Sequence, residues 1–440
     1  MNVLALKNFS WMSFGQVFIN ILRAFVIIAI ARYVGVENYG ALSFAIVASS
    51  IAKIATTLGM QNIIIRGVLE RTNPKNFLFN AFLLQVFSAF VFFILVIVIT
   101  GIYIDDHITK VLIYIFSISI LFQPFQVIAY YFEAKLEQRF VTMSLISATV
   151  IGSVLKFLLI YFEQGIEIIS SIYLLEYLIS AFVLCYYYFS KRNLELLRFD
   201  LTIVKNIIKD SWPYFFGAFA VLLYTYTDIV MIRHFLTLSD VGSYSVAARI
   251  ADMWHIIPIS IASTALPFLF KEINISADKE YKNVFNFQFL HNIMVYLSLI
   301  WILCIYLIGD GAILFLFGEE YKDATKVILL FSFISLFYAL GIASSKWYLL
   351  MGLQKLTLYR NLFGAIVNIL LNINLIPKYG ILGAAYGTLI SYIAANYLYD
   401  FFNPKTRILF IIKTKSILLM FLLRDFRLFL KFINSKLRQN

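Results

Sequence analysis

Charged side chains are scarce in this chain of 440 residues. Charged residues make up 14% of the sequence, only 24 are acidic and four are histidine, whereas 62% of all residues are hydrophobic. This composition is far too apolar for a soluble globular protein and indicates the membrane class. The net charge of +12 does not indicate a nucleic-acid partner, because no soluble basic domain is long enough to bind one.

Signatures of catalysis are sparse as well. Cys185 and Cys304 lie in apolar segments without CxxC or Cys/His spacing, so neither a disulfide framework nor a metal site is expected. The sequence contains no GxxxxGKS or GxxxxGKT motif, so direct ATP hydrolysis is not expected. A membrane enzyme would need a catalytic His/Asp cluster in an outer loop, and His107 stands alone beside Asp105 and Asp106. We therefore expect a protein that is not an enzyme and needs no cofactor.

Long apolar segments are abundant instead. A helical membrane span takes about 20 mostly apolar residues, and the sequence predicts twelve such spans in an all-α polytopic membrane protein. The approximate ranges are 9–33, 40–66, 77–101, 110–132, 141–162, 168–190, 211–235, 242–270, 284–309, 325–351, 358–376 and 381–402.

The orientation of the spans follows from lysine and arginine, because positively charged loops stay in the cytoplasm. With twelve spans, 25 of these residues lie on the side of both termini and six on the opposite side. Both termini are therefore expected in the cytoplasm. Residues 191–210 are predicted to form a basic cytoplasmic linker. Residues 403–440 are predicted to form a basic amphipathic tail on the inner leaflet, with two additional spans as the alternative.

Charge inside the apolar segments is the most informative feature of the chain. A charge at the bilayer centre costs about 2.5–3.5 kcal/mol on insertion scales, so such a residue should face a partner or a watery cavity. The cations in predicted spans are Arg23, Lys53, Lys156, Arg249 and Lys346. The carboxylates considered as their partners are Glu176, Asp228 and Asp252. The surplus of cations predicts a cationic cleft that binds an anion.

The roles of the acidic residues stay open at this point. Glu176 is the neighbour expected for Lys156 from the adjacent span. Arg249 is three residues from Asp252 and on the same helical face, so the two residues form either a structural pair or a pair that changes partner during transport. Asp228 is the other candidate partner of Arg249 and the best candidate for proton or cation coupling, with Glu176 and Asp252 as further acids for that role.

The two halves of the chain repeat one pattern at an offset of 201 residues. The matching positions are Ser10-Trp11 with Ser211-Trp212 and Arg32 with Arg233. With six spans in each half, corresponding helices run in the same direction and predict two pseudo-symmetric bundles, over 1–190 and 211–402, around a central cleft. One inserted residue further on, Lys53 corresponds to His255. We interpret His255 either as a titratable arm of the cleft or as a hydrogen-bonded core histidine.

Three short motifs follow one another along the chain. They are Gly35-Val-Glu-Asn-Tyr-Gly40, Leu316-Phe-Gly-Glu-Glu-Tyr-Lys-Asp-Ala324 and Ile376-Pro-Lys-Tyr-Gly-Ile-Leu-Gly-Ala-Ala385. Together with the length, the span count and the repeat, they resemble the bacterial polysaccharide flippases that carry O-antigen or capsule repeat units. These flippases belong to the multidrug, oligosaccharidyl-lipid and polysaccharide exporter superfamily.

The resemblance implies a substrate and a mechanism. An undecaprenyl-pyrophosphate-linked oligosaccharide would pass from the cytoplasmic to the outer leaflet of the bacterial inner membrane by alternating access. The five cations and His255 would bind its headgroup, because Lys and Arg can replace the hydration of a pyrophosphate. The implied partners are this lipid, the bilayer, a polysaccharide polymerase and a chain-length regulator. The alternative is an ion-coupled exporter of drugs or of another lipid-linked precursor, although cationic drugs would favour intramembrane carboxylates.

Overall fold

A computed structural model of the chain is helical throughout its regular elements. The residues that it describes are 3–71, 74–190, 198–275 and 279–418. Contacts between the helices divide the chain into two units, Met1–Leu222 and Leu223–Asn440. The predicted bundles over 1–190 and 211–402 around a common cleft stay a prediction.

The first unit is built from seven helices and the beginning of an eighth. They are α1 (Val3–Thr56), α2 (Gln61–Glu70), α3 (Lys75–Tyr103), α4 (His107–Ile118), α5 (Gln126–Ala134), α6 (Gln138–Tyr161), α7 (Ile166–Phe189) and α8 (Leu201–Phe235), with a 3₁₀ segment at Ser119–Phe125. Helix α6 packs against α1 and α7, and α4 packs against both α1 and α7. The polar faces of α1, α6 and α7 are thereby brought together.

Helix α1 contains the whole of the first predicted span and most of the second. Its 54 residues would extend about 80 Å if straight, against a hydrocarbon thickness of about 30 Å. The helix is broken at Gly35, where φ is 79° and ψ is 168°, a conformation that a side chain disfavours. Two helical segments therefore meet at Gly35, which lies within the predicted loop 35–40. The second helical segment ends at Thr56, ten residues before its predicted end.

Within its described residues, the second unit contains the end of α8 and eight further helices. They are α9 (Leu238–Trp254), α10 (Ile256–Ile275), α11 (Lys279–Phe317), α12 (Lys322–Leu350), α13 (Gln354–Tyr379), α14 (Ile381–Ile393), α15 (Tyr399–Phe402) and α16 (Arg407–Ile417), with a π-helical turn at Ala394–Leu398. A capping box of Thr237 and Asp240 starts α9. The predicted span 242–270 is divided between α9 and α10, and His255 lies at the break.

Nine helices within the described ranges are long and apolar enough to cross a membrane, or ten if the bent pair Leu201–Leu222 and Thr225–Phe235 is one span. Large apolar side chains on them are exposed, among them Phe87, Phe182 and Phe315. Such a surface suits lipid and not water. The prediction of an all-α polytopic membrane protein is confirmed, whereas the count of twelve spans stays a prediction.

The two segments predicted to lie at the cytoplasmic surface are only partly described. Residues 191–197 of the linker lie outside the described residues, and the helix α8 begins at Leu201. Of the predicted tail, residues 419–440 lie outside them too. The part that is described, α16, packs against α11, and its Leu409 and Ile412 belong to the same buried apolar cluster as Phe287. The position of the whole tail relative to the membrane stays a prediction.

Candidate functional sites

Two lysines of the first unit, from α1 and α6, contact one face of α7. Tyr173, Glu176 and Tyr177 lie three and four residues apart, so their side chains are neighbours on the helix surface. The Nζ atom of Lys156, from α6, lies 2.7 Å from Glu176 Oε1 and 3.3 Å from the centre of the Tyr173 ring. Lys53, from the last turn of α1, donates to the Tyr177 hydroxyl at 3.0 Å and lies 4.2 Å from the centre of that ring. The pairing expected for Lys156 and Glu176 is thus observed.

We call Lys53 and Lys156, with Tyr173, Glu176 and Tyr177, the lysine cluster. Its environment is cationic. Lys156 is 2% exposed and Lys53 is 9% exposed, and Arg23 is exposed on α1, where its charge acts on that of Lys156. Three cations therefore accompany the single carboxylate of Glu176. The tyrosine rings offset part of the cost of burying the ammonium groups, since a desolvated cation–π contact is worth about 2 kcal/mol.

Helix α6 has a glycine, Gly152, where it faces Glu176 of α7, and the missing side chain leaves room for the pair of Lys156 and Glu176. A Cβ atom at Gly152 would lie 2.1 Å from Glu176 Oε1 and 2.6 Å from its Cδ. No side chain fits at that distance unless the carboxylate moves away. Gly152 is therefore required for the observed position of Glu176.

A second polar site lies in the second unit around Asp228, which is 7% exposed. The carboxylate lies on α8 and accepts hydrogen bonds from four side chains of α9, α13 and α14. The donors are Tyr244 (2.7 Å) and Thr388 (2.6 Å) to Oδ2, and Asn368 (3.0 Å) and Asn372 (2.7 Å) to Oδ1. All four are neutral, so the negative charge of Asp228 is solvated by them without being cancelled. We call these five residues the Asp228 cage.

Oxygen atoms dominate the Asp228 cage. Asn372 Oδ1 is buried and has no hydrogen-bond partner within the described residues. A Cβ atom at Gly387 would lie 2.2 Å from this same oxygen, so the glycine leaves the amide its room. Carboxylate, amide and hydroxyl oxygens suit a hard cation. Asn368 and Asn372 are four residues apart on α13, and this spacing places both amides on one face of the helix, toward Asp228.

The other predicted residues of the second unit lie apart from the Asp228 cage. The sequence offered Arg249 as a partner for Asp228, but the carboxylate is surrounded by the four neutral donors instead. Arg249 and Asp252 are exposed on α9, and Asp252 Oδ1 lies 3.3 Å from His255 Nδ1. The His255 ring stacks on Tyr338 with 3.7 Å between ring centres.

Lys346 is partly buried on α12. The prediction that Arg249 and Lys346 share a cleft with Arg23, Lys53 and Lys156 concerns both units and stays a prediction.

Sequence reasoning missed a buried ion pair in the second unit. Lys413 Nζ lies 2.5 Å from Asp400 Oδ2, and both side chains are fully buried. Lys413 also donates to the Asn396 carbonyl in the π-helical turn, and Tyr348 donates to Asp400. The sequence showed Lys413 only as an interruption of an apolar run. Its partner is 13 residues away, beyond the reach of any helical spacing.

The fold and these two sites define a polytopic helical membrane protein that buries ionic groups between its helices. Residues 5–272 match the family of polysaccharide biosynthesis proteins, and the chain belongs to this family. It is 21% identical over 406 residues to the capsular polysaccharide biosynthesis protein CapF of Staphylococcus aureus, covering 91% of this chain and 99% of CapF. The probable low-salt glycan biosynthesis flippase Agl15 of Haloferax volcanii is 22% identical over 41% of this chain and 39% of its own length.

Solved structures share the fold at lower sequence identity. The lipid II flippase MurJ, in an inward closed conformation, superposes with a TM-score of 0.75 at 16% identity, covering 93% of this chain and 91% of MurJ. An inward-facing MATE family multidrug transporter gives a TM-score of 0.64 at 15% identity, covering 92% and 99%. The family resemblance proposed from the sequence is confirmed. Agl15 and MurJ are named as flippases and the MATE protein as a transporter, in agreement with the prediction that the chain is not an enzyme.

Proposed function

We propose that this protein flips a lipid-linked oligosaccharide across the membrane for polysaccharide synthesis. The more specific proposal is an undecaprenyl-pyrophosphate-linked repeat unit that moves from the cytoplasmic to the outer leaflet of a bacterial inner membrane, where O-antigen, capsule or exopolysaccharide is assembled. Membership of the polysaccharide biosynthesis family supports this proposal. The names of Agl15 and MurJ, each described as a flippase, agree with it.

The lysine cluster, in which Lys53 of α1 and Lys156 of α6 contact α7, is the observation that carries the proposal. Lys53 and Lys156 are buried in helices that cross the membrane, and Arg23 adds a third positive charge against one carboxylate. A diphosphate carries at least two negative charges and needs replacement for its lost hydration in the membrane. Charge-assisted hydrogen bonds from these cations supply it. A cationic drug would meet repulsion at the same place.

Alternating access is the proposed mechanism. The two units would rock about the headgroup while the polyprenyl chain stays in lipid. Arg249, Lys346 and His255 would bind the headgroup from the second unit, as the sequence predicts. A polysaccharide polymerase and a chain-length regulator would act on the lipid after it reaches the outer leaflet. Cytoplasmic termini belong to the same proposal and rest on the distribution of Lys and Arg.

Flipping of a fluorescent lipid-linked oligosaccharide in proteoliposomes tests the function. Lys53→Ala and Lys156→Ala should lower the rate at least tenfold, whereas Lys156→Arg should keep part of it because the charge persists. Lys415→Ala removes an exposed lysine of α16 and serves as the control. Wild-type rates in both alanine variants would refute a role of the lysine cluster. Export of a cationic dye without lipid flipping would favour the drug exporter.

We propose further that Asp228 couples transport to a monovalent cation or a proton. The carboxylate is buried and its four donors are neutral, so a bound cation or proton would cancel a charge that costs free energy inside the membrane. Asn372 Oδ1 supplies an oxygen without a hydrogen-bond partner among the described residues. Glu176 and Asp252, also predicted for coupling, each have a basic partner within 3.3 Å, which makes Asp228 the best supported of the three.

The coupling site is tested by flipping rates measured with and without an imposed sodium or pH gradient. Asp228→Asn should abolish the response to the gradient and leave binding of the lipid unchanged. Gly387→Ala should weaken the response without removing a charge, because it displaces the Asn372 amide. Asp323→Asn, on the exposed carboxylate that pairs with Lys326, is the control. If Asp228→Asn still responds fully to the gradient, Asp228 has only a structural role.

A further inference from the structure

Lys156 is paired with an anionic side chain of the protein itself. Its ammonium group lies 2.7 Å from the Glu176 carboxylate, the distance of a charge-assisted hydrogen bond. An anionic headgroup that binds Lys156 must therefore compete with Glu176. The proposed function requires Lys156 to bind the headgroup. The geometry identifies Glu176 as the residue that competes with the headgroup for Lys156.

We infer that Glu176 is an internal competitor of the substrate: it occupies Lys156 in the empty protein and is displaced when a lipid diphosphate binds. The inference rests on the proposed flippase function and adds the means by which substrate is released. After transport, the return of Glu176 to Lys156 displaces the headgroup. A transport site must bind its ligand weakly enough to let it leave, and a permanently free Lys156 would bind the diphosphate too tightly for rapid turnover.

The two partners differ in the way that this exchange requires. The side chain of Lys156 is 3% exposed, whereas that of Glu176 is 14% exposed, so the carboxylate is the partner that is open to its surroundings and can swing out. Lys156 is also held from another direction by the Tyr173 ring, 3.3 Å from its Nζ atom. When Glu176 leaves, the ammonium group keeps a favourable contact and its position.

Gly152 gives an independent way to move the carboxylate. A Cβ atom there would lie 2.1 Å from Glu176 Oε1 and 2.4 Å from its Cγ, so Gly152→Ala should push Glu176 off Lys156 while both charges remain in the protein. Gly311→Ala is the matched control, since this helical glycine has no atom within 4 Å of the position of a Cβ. Any gain in helix propensity is about the same in the two variants.

The experiment measures equilibrium binding of farnesyl diphosphate to the full-length protein in detergent, and flipping of the lipid-linked oligosaccharide in proteoliposomes. Glu176→Gln should bind farnesyl diphosphate about tenfold more tightly, the effect of removing one charged hydrogen-bond competitor. Its flipping rate at saturating substrate should fall, because release becomes slow. Gly152→Ala should change both quantities in the same direction, and Gly311→Ala should match the wild type.

The outcomes separate this inference from the function on which it rests. Failure of the wild-type protein to bind the diphosphate would overturn the proposed function. Binding by the wild type with an unchanged or higher Kd in Glu176→Gln and Gly152→Ala would overturn the competition alone, and would make Glu176 a structural partner of Lys156. Since Glu176→Gln leaves a buried lysine unpaired and can lower the folded yield, thermal stability is measured alongside, and the charge-conserving Gly152→Ala then decides.

Discussion

The ion pair of Asp400 and Lys413 provides a sharp test of how the end of the chain is held. Lys413 on α16 is fully buried and contacts both the Asp400 carboxylate and the Asn396 carbonyl at 2.5 Å. Removing one partner of a buried pair leaves an uncompensated charge and costs about 3–5 kcal/mol. Lys413→Met keeps most of the side-chain volume, so the loss of charge is measured with little contribution from a cavity. We therefore expect Lys413→Met to lower the free energy of unfolding by about 3–5 kcal/mol.

The double variant carries the decisive comparison. Asp400→Asn combined with Lys413→Met removes both charges, and such neutral replacements are often close to neutral in stability, so it should recover most of the loss. Lys415→Met, on the same helix but exposed, should change stability by less than about 0.5 kcal/mol. Unfolding would be followed by tryptophan fluorescence during titration with SDS. A Lys413→Met protein as stable as Lys415→Met, or a double variant no better than the single one, would refute the reasoning.

Three further predictions concern packing and topology. Gly341→Ala should destabilise the protein by about 1–3 kcal/mol, because its Cβ would lie 2.3 Å from Asn396 Oδ1. Gly311→Ala, whose Cβ would meet no atom within 4 Å, should leave the stability unchanged. Equal stabilities of the two variants in an SDS titration would contradict the packing around Gly341. Tyr348→Phe removes the donor to Asp400 and should cost about 1–3 kcal/mol in the same titration, and an unchanged midpoint would argue against that hydrogen bond. In a background without the natural cysteines, impermeant maleimide added to intact cells should label cysteine at outer but not at cytoplasmic positions, and the reverse pattern would invert the predicted topology. The outer positions are Glu37 and Glu319, and the cytoplasmic ones are Asn193 and Asn440.

The sequence predicted correctly those features that depend on one helix or on two neighbouring helices. Lys156 was recognised as an intramembrane charge because the cost of exposing it to lipid is large. Its partner Glu176 was identified because the neighbouring span offers that carboxylate at a similar depth. The break between the first two helical segments was predicted at residues 35–40, and the backbone leaves the helical conformation at Gly35. The division at His255 was missed because apolar residues continue on both sides of it.

The hydrogen-bond partners in the Asp228 cage could not be predicted from local sequence patterns. Asp228 was singled out as an intramembrane acid, and Arg249 was offered as its partner because opposite charges were the only contacts that the sequence could suggest. Three of the four donors come from helices far along the chain, as with Thr388, which is 160 residues away. Neutral hydrogen-bond donors leave no charge pattern in a sequence, so packing alone decides which of them reach the carboxylate.

The sequence by itself determined the class of protein, the apolar segments and the charges buried within them. It did so because the free energy of moving a side chain into hydrocarbon depends mainly on that side chain and its depth. Tertiary structure decided which ions meet. Lys413 lies in a basic stretch that resembles a surface helix, yet packing of α16 on α11 buries it against Asp400. An ion pair depends on distance and on exclusion of water, and both arise only when the helices pack.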